Sequence, residues 1–479
     1  MRSAELGGRR VGLWGFGREG RASLAALSAQ SDPPGEVVIV TDEPPSEGER
    51  AAAATVEWRH GPEGIDRLCA VDVVIRSPGI SRYREDALRV ADSTRMTTAT
   101  NLWFAEHAGD QVIAVTGSKG KSTTSSLVDH LARAAGLRTV LAGNIGVPLL
   151  AHLHPEPAPD LWVLELSSHQ TSDLEWSPRV GVLLNLYREH LDWHGNLERY
   201  VADKLNLFAH RPDGVVVLNR RDEATRARAG GIPGRQVWFG DAAGFDEDGR
   251  SILLRGERLI DADRLQLHGR HNLLNACAAL AALEAAGVEV RSRVGALAEF
   301  RPLRHRLETV GEAGSVTFVN DSIATIPEST IAALDALEGR PVVLIAGGFD
   351  RGQDYGALVR RLLPERGVVA VVTLPPSGDR LGAELGAVAG APPAVAARDL
   401  ADAVRLARQL SRPGTVVLLS PAAPSYGAFR DFEERGDAFR ALVAGAAGLG
   451  VAPADILIPQ MDASGAHRVP MDAPTGGAA

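Results

Sequence analysis

The sequence predicts an α/β protein built from three domains. Short apolar runs typical of buried strands alternate along the chain with helix-like segments, which is the pattern of parallel β-α-β architecture. The length of 479 residues fits about three domains at roughly 150 residues each. Apolar residues make up 45% of the chain and charged residues 23%, so there is enough apolar material for several cores.

Composition also argues against several classes of protein. No run of eighteen or more apolar residues occurs, so a transmembrane helix is not expected, and the N-terminus lacks the features of a secretory signal. Two cysteines, Cys69 and Cys277, cannot form a disulfide framework and fit a reducing compartment. A net charge of −9 argues against binding to nucleic acid or anionic membranes. We therefore expect a cytoplasmic enzyme acting on small molecules. Separately, we expect it to be a monomer.

The first predicted domain, residues 1–109, has a Rossmann-like pattern. Predicted strands cover Val11–Trp14, Val37–Val40 and Val71–Ile75. The first strand is followed by Gly15-Phe16-Gly17-Arg18-Glu19-Gly20, and Asp42 follows the second strand. This spacing matches a dinucleotide fingerprint, but glycines needed only for the turn explain it equally well. A nucleotide or its diphosphate could also bind there without any redox role.

The second predicted domain, residues 110–308, resembles a P-loop ATPase. The predicted strand Gln111–Thr116 leads into the glycine-rich loop Gly117–Thr123, and a helix follows from about Ser122. Backbone N–H groups of such a loop cradle phosphate oxygens. Lys121 would neutralise the β- and γ-phosphates, and the Ser122 hydroxyl would ligate Mg²⁺. The loop is shorter than the standard motif, yet its position between strand and helix favours nucleotide binding.

Three polar residues stand out further along this domain. Predicted strands at Leu161–Leu166, Val180–Asn185 and Val215–Asn219 precede a weaker, hairpin-like region at about Gln236–Gln266. Glu165 ends the first of these strands, where a carboxylate is well placed to hold Mg²⁺. By themselves, His190 and Lys204 are more typical of a polar surface and a solvated helix.

The third predicted domain, residues 309–450, is again Rossmann-like. Its predicted strands cover Val316–Asn320, Val342–Ala346, Val368–Thr373 and Thr415–Ser420. Beyond it, residues 451–479 are rich in Pro, Gly, Ala and Asp, a composition that predicts a disordered tail.

Ordered motifs then indicate a family. From the N-terminal to the C-terminal side they are TGSKGKST, Gly143-Asn144-Ile145-Gly146, ELSSHQ, NLYREHLDWH, YVADK, GRHNLLNA, HRLE and Asn320-Asp321-Ser322. In this order the sequence resembles the Mur ligases, the ATP-dependent amino-acid ligases of peptidoglycan precursor synthesis. The resemblance extends from about Val11 to Leu442 and is strongest to the branch that adds glutamate to UDP-N-acetylmuramoyl-L-alanine.

The resemblance implies a role for each matching position. The ATP-binding positions are Gly117, Ser118, Lys119, Gly120, Lys121, Ser122, Thr123, Asn272, Asn275, Arg306 and Asp321, the last two from across a domain junction. The implied Mg²⁺ ligands are Ser122 and Glu165 for one ion and His190 and Lys204 for a second, with Lys204 carbamylated. Lys121, Glu165, His190 and Lys204 form the implied catalytic set. The UDP-muramoyl contacts are Gly15, Phe16, Gly17, Asp42, Ser77, Asn144 and Ser168.

The glutamate pocket departs from the family pattern. Thr325, Arg351, Ser425 and Phe432 match glutamate-contacting positions. Where the D-glutamate-adding branch has a lysine after Asn-Asp-Ser, this chain has Ile323, and Arg351 stands where another lysine is usual. Because a planar guanidinium is not equivalent to an ammonium at a carboxylate site, we expect a pocket reshaped for L-glutamate. Drift within ordinary D-glutamate ligases remains the alternative.

Three other functions stay open. A folylpolyglutamate synthase would share the phosphate loop but would lack a UDP-binding block such as residues 1–109. A NAD-dependent oxidoreductase would use Gly15–Gly20 and would bind NAD without hydrolysing ATP. A catalytically inactive binder of muramoyl nucleotides would not need Lys121, Glu165, His190 and Lys204 together.

Overall fold

A computed structural model describes residues 1–145, 147–267, 269–301, 304–363 and 367–447. The described residues confirm the α/β class, with two parallel sheets and one mixed sheet flanked by helices. They form two compact units, Met1–Arg304 and His305 onward. The predicted boundaries at 109/110 and 308/309 stay predictions, and the predicted tail at 451–479 lies outside the described residues. Among the described helices, none combines the length and apolar character needed to cross a bilayer.

The first unit begins with a five-stranded parallel sheet of order β3-β2-β1-β4-β5. Its strands are β1 (Arg10–Trp14), β2 (Glu36–Thr41), β3 (Glu57–His60), β4 (Val73–Arg76) and β5 (Arg95–Thr97). Its helices are α1 (Arg18–Ser28), α2 (Glu47–Ala52), α3 (Gly61–Leu68), α4 (Glu85–Ser93) and α5 (Ala99–Glu106). The three predicted strands are thus confirmed, and the structure adds β3 and β5 as edge strands.

The same unit contains a six-stranded parallel sheet of order β11-β10-β9-β6-β8-β7. Its strands are β6 (Val112–Thr116), β7 (Thr139–Gly143), β8 (Leu161–Glu165), β9 (Val180–Leu183), β10 (Val215–Asn219) and β11 (Arg235–Phe239). Its helices are α6 (Lys121–Ala134), α7 (Ser168–Thr171), α8 (Leu191–His194), α9 (Leu197–Leu205), α10 (Glu223–Arg228) and α11 (Arg270–Ala285). Because β6 lies between β8 and β9, the loops after these three strands meet at one edge.

The hairpin-like prediction at about Gln236–Gln266 is confirmed only in part. An antiparallel sheet of order β12-β13-β14 is present, with β12 (Phe245–Glu247), β13 (Ser251–Leu254) and β14 (Glu257–Asp261). Residues 235–239 instead form β11, which pairs in parallel with β10. Alternation of residue types did not distinguish these two environments, because an edge strand is only half buried.

The two sheets of the first unit share a hydrophobic core. One cluster of buried side chains contains Val11 and Leu13 of the first sheet together with Ala114 and Leu164 of the second. Polar contacts also join the two blocks, since the Trp193 indole N–H donates to the carbonyl oxygen of Pro78 at 3.0 Å. This shared core explains why both sheets belong to one compact unit.

The second unit has a six-stranded sheet of order β15-β16-β20-β17-β18-β19. Its strands are β15 (Glu308–Ala313), β16 (Val316–Asn320), β17 (Val342–Gly347), β18 (Val368–Leu374), β19 (Ala394–Ala396) and β20 (Val416–Leu419). Its helices are α12 (Pro327–Ala336), α13 (Gly356–Arg361), α14 (Ser377–Gly386), α15 (Leu400–Leu410) and α16 (Phe432–Ala447). β15 pairs antiparallel with β16, and the other pairs are parallel. The four predicted strands are confirmed.

Candidate active site

The glycine-rich loop connects β6 to α6, as the sequence predicts. Gly117 has φ +152° and Gly120 has φ +86°, backbone conformations that residues other than glycine rarely adopt. A Cβ atom on Gly120 would also lie 2.5 Å from Asn275 Oδ1. The loop therefore packs directly against Asn275 on α11, one of the two asparagines predicted to contact ATP. The second, Asn272, is buried one turn away and accepts a hydrogen bond from Asn275 at 3.3 Å.

Side chains within the loop fix its shape through residues that follow β9. The Ser118 hydroxyl lies 2.5 Å from the Tyr200 hydroxyl, and it accepts the backbone N–H of Tyr187 at 2.8 Å. Lys119 forms an ion pair with Glu189 at 2.7 Å, and its backbone N–H donates to Asn185 Oδ1 at 2.7 Å. Ser118 and Lys119 thus have structural partners, while Ser122 and Thr123 lie in the first turn of α6.

Two lysines from distant segments converge on one carbonyl oxygen of the loop. Lys121 Nζ donates to the Gly117 oxygen at 2.9 Å, and Lys204 Nζ donates to the same oxygen at 3.1 Å. The side chain of Lys204 is buried, with 1% of its residue surface exposed. Burial, followed by the charge of Lys121, lowers the pKa of Lys204 well below its usual value. Burial therefore disfavours the charged form of Lys204.

Only one carboxylate oxygen of Glu165 has a hydrogen-bond partner among the described residues. Glu165 ends β8 opposite Val115 of β6 and is 1% exposed. Its Oε1 accepts a hydrogen bond from Asn144 Nδ2 at 2.7 Å, whereas Oε2 is buried without a hydrogen-bond partner among the described residues. Since buried carboxylate oxygens are normally satisfied, an unpartnered Oε2 fits a cation ligand.

Histidines gather around the loop after β9. His190 has a left-handed backbone, with φ +53°, and burial lowers its pKa to about 4. The His169 ring lies 4.8 Å from the His190 ring and stacks on Trp193 at 4.7 Å between centroids. Burial lowers the pKa of His169 to about 2, and its Nε2 is buried without a hydrogen-bond partner among the described residues. Neutral imidazoles of this kind can bind cations or polar ligands.

The predicted UDP-binding residues lie at the ends of β1, β2 and β4. Gly15 has φ +92°, and a Cβ there would lie 2.8 Å from the Ser77 hydroxyl, which donates to the Gly15 carbonyl oxygen at 3.2 Å. Phe16 is buried with its ring edge-on to Trp58 at 4.9 Å, so its backbone is the part available to a ligand. Gly17, the N-cap of α1, is exposed.

Asp42 follows β2, as the dinucleotide interpretation requires, but its carboxylate already has a partner. Arg84 donates to both of its oxygens, at 2.8 and 3.2 Å. Asp42 remains half exposed, with 54% of its side-chain surface accessible. A ligand at this position would therefore meet an ion pair and not a free carboxylate.

The second unit contains the remaining predicted residues. Asp321, directly after β16, accepts a hydrogen bond from the Ser420 hydroxyl at 2.8 Å and from the backbone N–H of Leu307 at 3.2 Å. Arg306 is half buried in the same unit. Contact of Arg306 and Asp321 with ATP stays a prediction.

The four glutamate-pocket residues follow adjacent parallel strands of the second unit. Thr325 follows β16, Arg351 follows β17, Ser425 follows β20 and Phe432 begins α16. Ser425 is buried, whereas Arg351 is exposed with its guanidinium 5.3 Å from the ring centroid of Tyr426. The carboxyl ends of adjacent parallel strands share one edge, so these loops can line one pocket.

A buried arginine that the sequence interpretation missed ties these loops together. Arg435 is 1% exposed, and none of its hydrogen bonds among the described residues goes to a carboxylate. It donates to the hydroxyl of Ser322 at 3.0 Å, to the carbonyl of Ser322 at 2.8 Å and to the carbonyl of Ala423 at 3.1 Å. Burial lowers its pKa to about 9. No local feature of the sequence indicated this role, because the burial of Arg435 depends on loops from other segments.

His169, His194 and Asp203 were missed for a similar reason. They lie inside the motifs ELSSHQ, NLYREHLDWH and YVADK, in which the predicted roles went instead to Glu165, His190 and Lys204. Only the packing of α7, α8 and α9 brings them together.

Comparison with known proteins identifies the family. The Mur ligase middle domain matches residues 115–283, and the Mur ligase glutamate ligase domain matches residues 305–423. A UDP-N-acetylmuramoyl-L-alanine–L-glutamate ligase of Micromonospora sp. is 45% identical over 463 residues, 94% of this chain and 99% of that protein. The protein of the same name from Xanthomonas axonopodis pv. citri is 43% identical over 92% of this chain and 96% of its own length.

Solved structures share the fold. The MurF ligase of Thermotoga maritima, crystallised with ADP, superposes with a TM-score of 0.57 at 16% identity, covering 93% of this chain and 97% of that one. At that identity the likeness concerns the fold alone. The sequence relatives and the two matching domains extend over most of the chain, in agreement with the resemblance carried by the motifs. The chain therefore belongs to the Mur ligase family.

Proposed function

We propose that this protein is an ATP-dependent ligase of peptidoglycan precursor synthesis that joins L-glutamate to UDP-N-acetylmuramoyl-L-alanine. The observation that carries the proposal is the convergence of Lys121 and Lys204 on the Gly117 carbonyl. A buried carboxylate, Glu165, ends the strand that pairs with β6 beside this loop. Relatives at 43–45% identity are named for this reaction, and their names supply the L configuration of glutamate.

The first step is phosphoryl transfer. The alanyl carboxylate oxygen attacks the γ-phosphorus of ATP in line, the bond to the ADP oxygen breaks, and an acyl phosphate results. Lys121, in the first turn of α6, would stabilise the charge that develops on the transferring phosphate. The backbone N–H groups at the start of α6 would hold the other phosphate oxygens.

The donor set fits Mg²⁺ bound together with its substrates. The described residues contain no group of three His, Cys, Asp or Glu side chains arranged to hold a metal. The unpartnered Oε2 of Glu165 is an available ligand, and the Ser122 hydroxyl and the neutral His190 ring are further candidates. When bound, Mg²⁺ would neutralise phosphate charge.

Carbamylation of Lys204 would complete this set. A lowered pKa favours the neutral amine, whose nitrogen lone pair attacks the carbon of CO₂, and one N–H proton leaves to solvent as the carbamate forms. The product would be an anionic carbamate in a region where Lys119 and Lys121 supply positive charge. The modification would thereby replace an amine whose charged form these lysines disfavour with an anion that they attract.

The second step forms the amide bond. The glutamate amine attacks the carbonyl carbon of the acyl phosphate, phosphate leaves, and the ammonium of free glutamate loses two of its three protons in the process. Thr325, Arg351, Ser425 and Phe432 would hold the amino acid. The exposed guanidinium of Arg351 can pair with a carboxylate through two parallel N–H groups.

The test is phosphate release from ATP in the presence of UDP-N-acetylmuramoyl-L-alanine and either L- or D-glutamate, with the product mass determined. We expect turnover with the L form alone. Turnover with the D form alone would refute the assignment of stereochemistry and would mean that Ile323 and Arg351 reflect drift. Absence of turnover with both would refute the acceptor assignment. A cytoplasmic location and a monomeric state remain predictions.

Ile323→Lys and Arg351→Lys are the variants that probe the pocket. Both restore the lysines typical of the D-glutamate-adding branch, and both lie in loops of the second unit. We expect each to weaken use of L-glutamate. For Arg351→Lys the KM for ATP should stay within about twofold, since Arg351 and Asp321 lie in different loops. Arg430→Lys is a matched control, because that arginine is exposed and pairs only with Glu434 among the described residues.

A further inference from the structure

A buried chain of hydrogen bonds runs through three side chains beside the phosphate loop. Asp203 Oδ2 lies 2.6 Å from His194 Nδ1, and His194 Nε2 lies 3.0 Å from the Ser168 hydroxyl. All three residues are buried, and His194 is 0% exposed. Among the described residues, His194 is the sole hydrogen-bond partner of the Ser168 hydroxyl.

The segments that hold this chain also hold the candidate metal ligands. Ser168 begins α7, three residues after Glu165, and His194 ends α8, whose N-cap is His190. Asp203 precedes Lys204 on α9. The chain of hydrogen bonds is therefore fixed to the same framework as the residues proposed to act on ATP.

Which atoms donate and which accept in these hydrogen bonds follows from the chemistry of the carboxylate. A carboxylate can only accept, so its bond to Nδ1 requires that Nδ1 carry a proton. With one proton on the ring, Nε2 is then the acceptor and the Ser168 hydroxyl is the donor. The Tyr83 hydroxyl donates to the other oxygen of Asp203 at 2.8 Å. Burial raises the pKa of Tyr83 to about 12, which keeps that hydroxyl protonated.

Packing holds the imidazole in this orientation. The Tyr200 ring stands edge-on to His194 at 5.3 Å between centroids, and the Trp193 ring lies 4.5 Å away. A ring enclosed in this way cannot turn over without displacing its neighbours. The protein therefore fixes the orientation of the ring, with Nδ1 at Asp203 and Nε2 at Ser168.

We propose that His194 and Asp203 are positioning residues for Ser168. They hold the Ser168 hydroxyl as a hydrogen-bond donor to His194 Nε2, so that the Ser168 oxygen can accept an amide N–H of the muramoyl-alanyl substrate. This inference rests on the proposed function, because the resemblance places Ser168 against that substrate. The substrate offers two such donors, the N–H of its acetamido group and the N–H of its alanyl amide. Asp203→Asn is expected to reverse the direction of these hydrogen bonds. The asparagine N–H can donate to His194 Nδ1, which places the ring proton on Nε2. Nε2 then donates to the Ser168 oxygen, and the serine hydroxyl proton is no longer held by the ring.

Kinetics provide the first test. We expect Asp203→Asn and Ser168→Ala each to raise the KM for UDP-N-acetylmuramoyl-L-alanine roughly tenfold, with the KM for ATP and kcat within about twofold. In the Ser168→Ala background, Asp203→Asn should have no further effect on that KM, since it acts through Ser168. Ser172→Ala is the matched control, because this buried hydroxyl donates to the His169 carbonyl at 3.0 Å and should leave the KM unchanged.

The tautomer provides a second test, which is measured in the wild-type protein and needs a variant only to assign the signal. Selective ¹⁵N labelling of histidine in the wild-type protein should show His194 with a proton on Nδ1 and none on Nε2, assigned by loss of the signal in His194→Gln. A proton on Nε2, additive effects in the double variant, or a fall in kcat alone would overturn the proposal. Wild-type enzyme without turnover on the muramoyl substrate would instead refute the proposed function, while the tautomer result would still stand.

Discussion

Glu19 is predicted to make the stability of the first unit depend on pH. This carboxylate lies in the first turn of α1, within the glycine loop after β1, and accepts a hydrogen bond from Gln170 Nε2 at 2.8 Å. Its second oxygen is buried without a hydrogen-bond partner among the described residues. Burial raises its pKa from 4.5 to about 7, against the lowering effect of the Gln170 hydrogen bond. The perturbation is Glu19→Gln, which removes the charge and keeps an acceptor for Gln170.

The magnitude and sign follow from linkage between folding and protonation. Each pKa unit corresponds to about 1.4 kcal/mol, so a rise from 4.5 to about 7 means that ionised Glu19 destabilises the fold by up to about 3 kcal/mol. The folded state binds the proton more tightly than the unfolded state. The free energy of unfolding is therefore unaffected by Glu19 below pH 4.5, falls as the pH rises to about 7, and is constant above.

The assay is urea unfolding of the wild-type and Glu19→Gln proteins between pH 5 and 8, followed by tryptophan fluorescence. The stability difference in favour of the variant should grow by about 2–3 kcal/mol across this range. The new amide N–H can cost about 1 kcal/mol at the unpartnered position, but that cost is the same at every pH. Glu63→Gln, on the exposed surface of α3, is the control for a change of net charge. Parallel curves of unfolding free energy against pH for wild type and Glu19→Gln would contradict a raised pKa of Glu19.

Three further predictions concern catalysis. Lys121→Ala should lower kcat by at least about a hundredfold by removing charge stabilisation, and normal turnover would eliminate the ATP-site assignment. Lys204→Ala should be inactive and partly rescued by a short carboxylic acid such as acetate, whose oxygens replace those of the carbamate. Unchanged activity of that variant would remove Lys204 from the site. Arg435→Met should raise the KM for glutamate roughly tenfold by releasing the loops around Ser322 and Ala423, and an unchanged KM for glutamate would contradict this role.

Local signals were sufficient for much of the fold. The apolar runs at 112–116 and 342–347 became central strands, because residues buried on both faces of a parallel sheet read as continuous apolar segments. The phosphate loop was equally evident, since its glycines stand directly between a strand and a helix. β3 and β5 escaped detection, because short edge strands carry polar and exposed residues.

The α/β class, the phosphate loop and the family could be predicted from the amino-acid sequence, since each depends on residues close together in the chain or on motifs in a fixed order. The fold was needed to show that Lys121 and Lys204 share one carbonyl oxygen. It also decided that Asp203, His194 and Ser168 form one chain of hydrogen bonds, and that Arg435 is buried with no carboxylate partner among the described residues. The pKa of an amine, and whether a hydroxyl donates or accepts a hydrogen bond, depend on burial and on neighbours from other segments of the chain. A local sequence pattern contains no information about these neighbours.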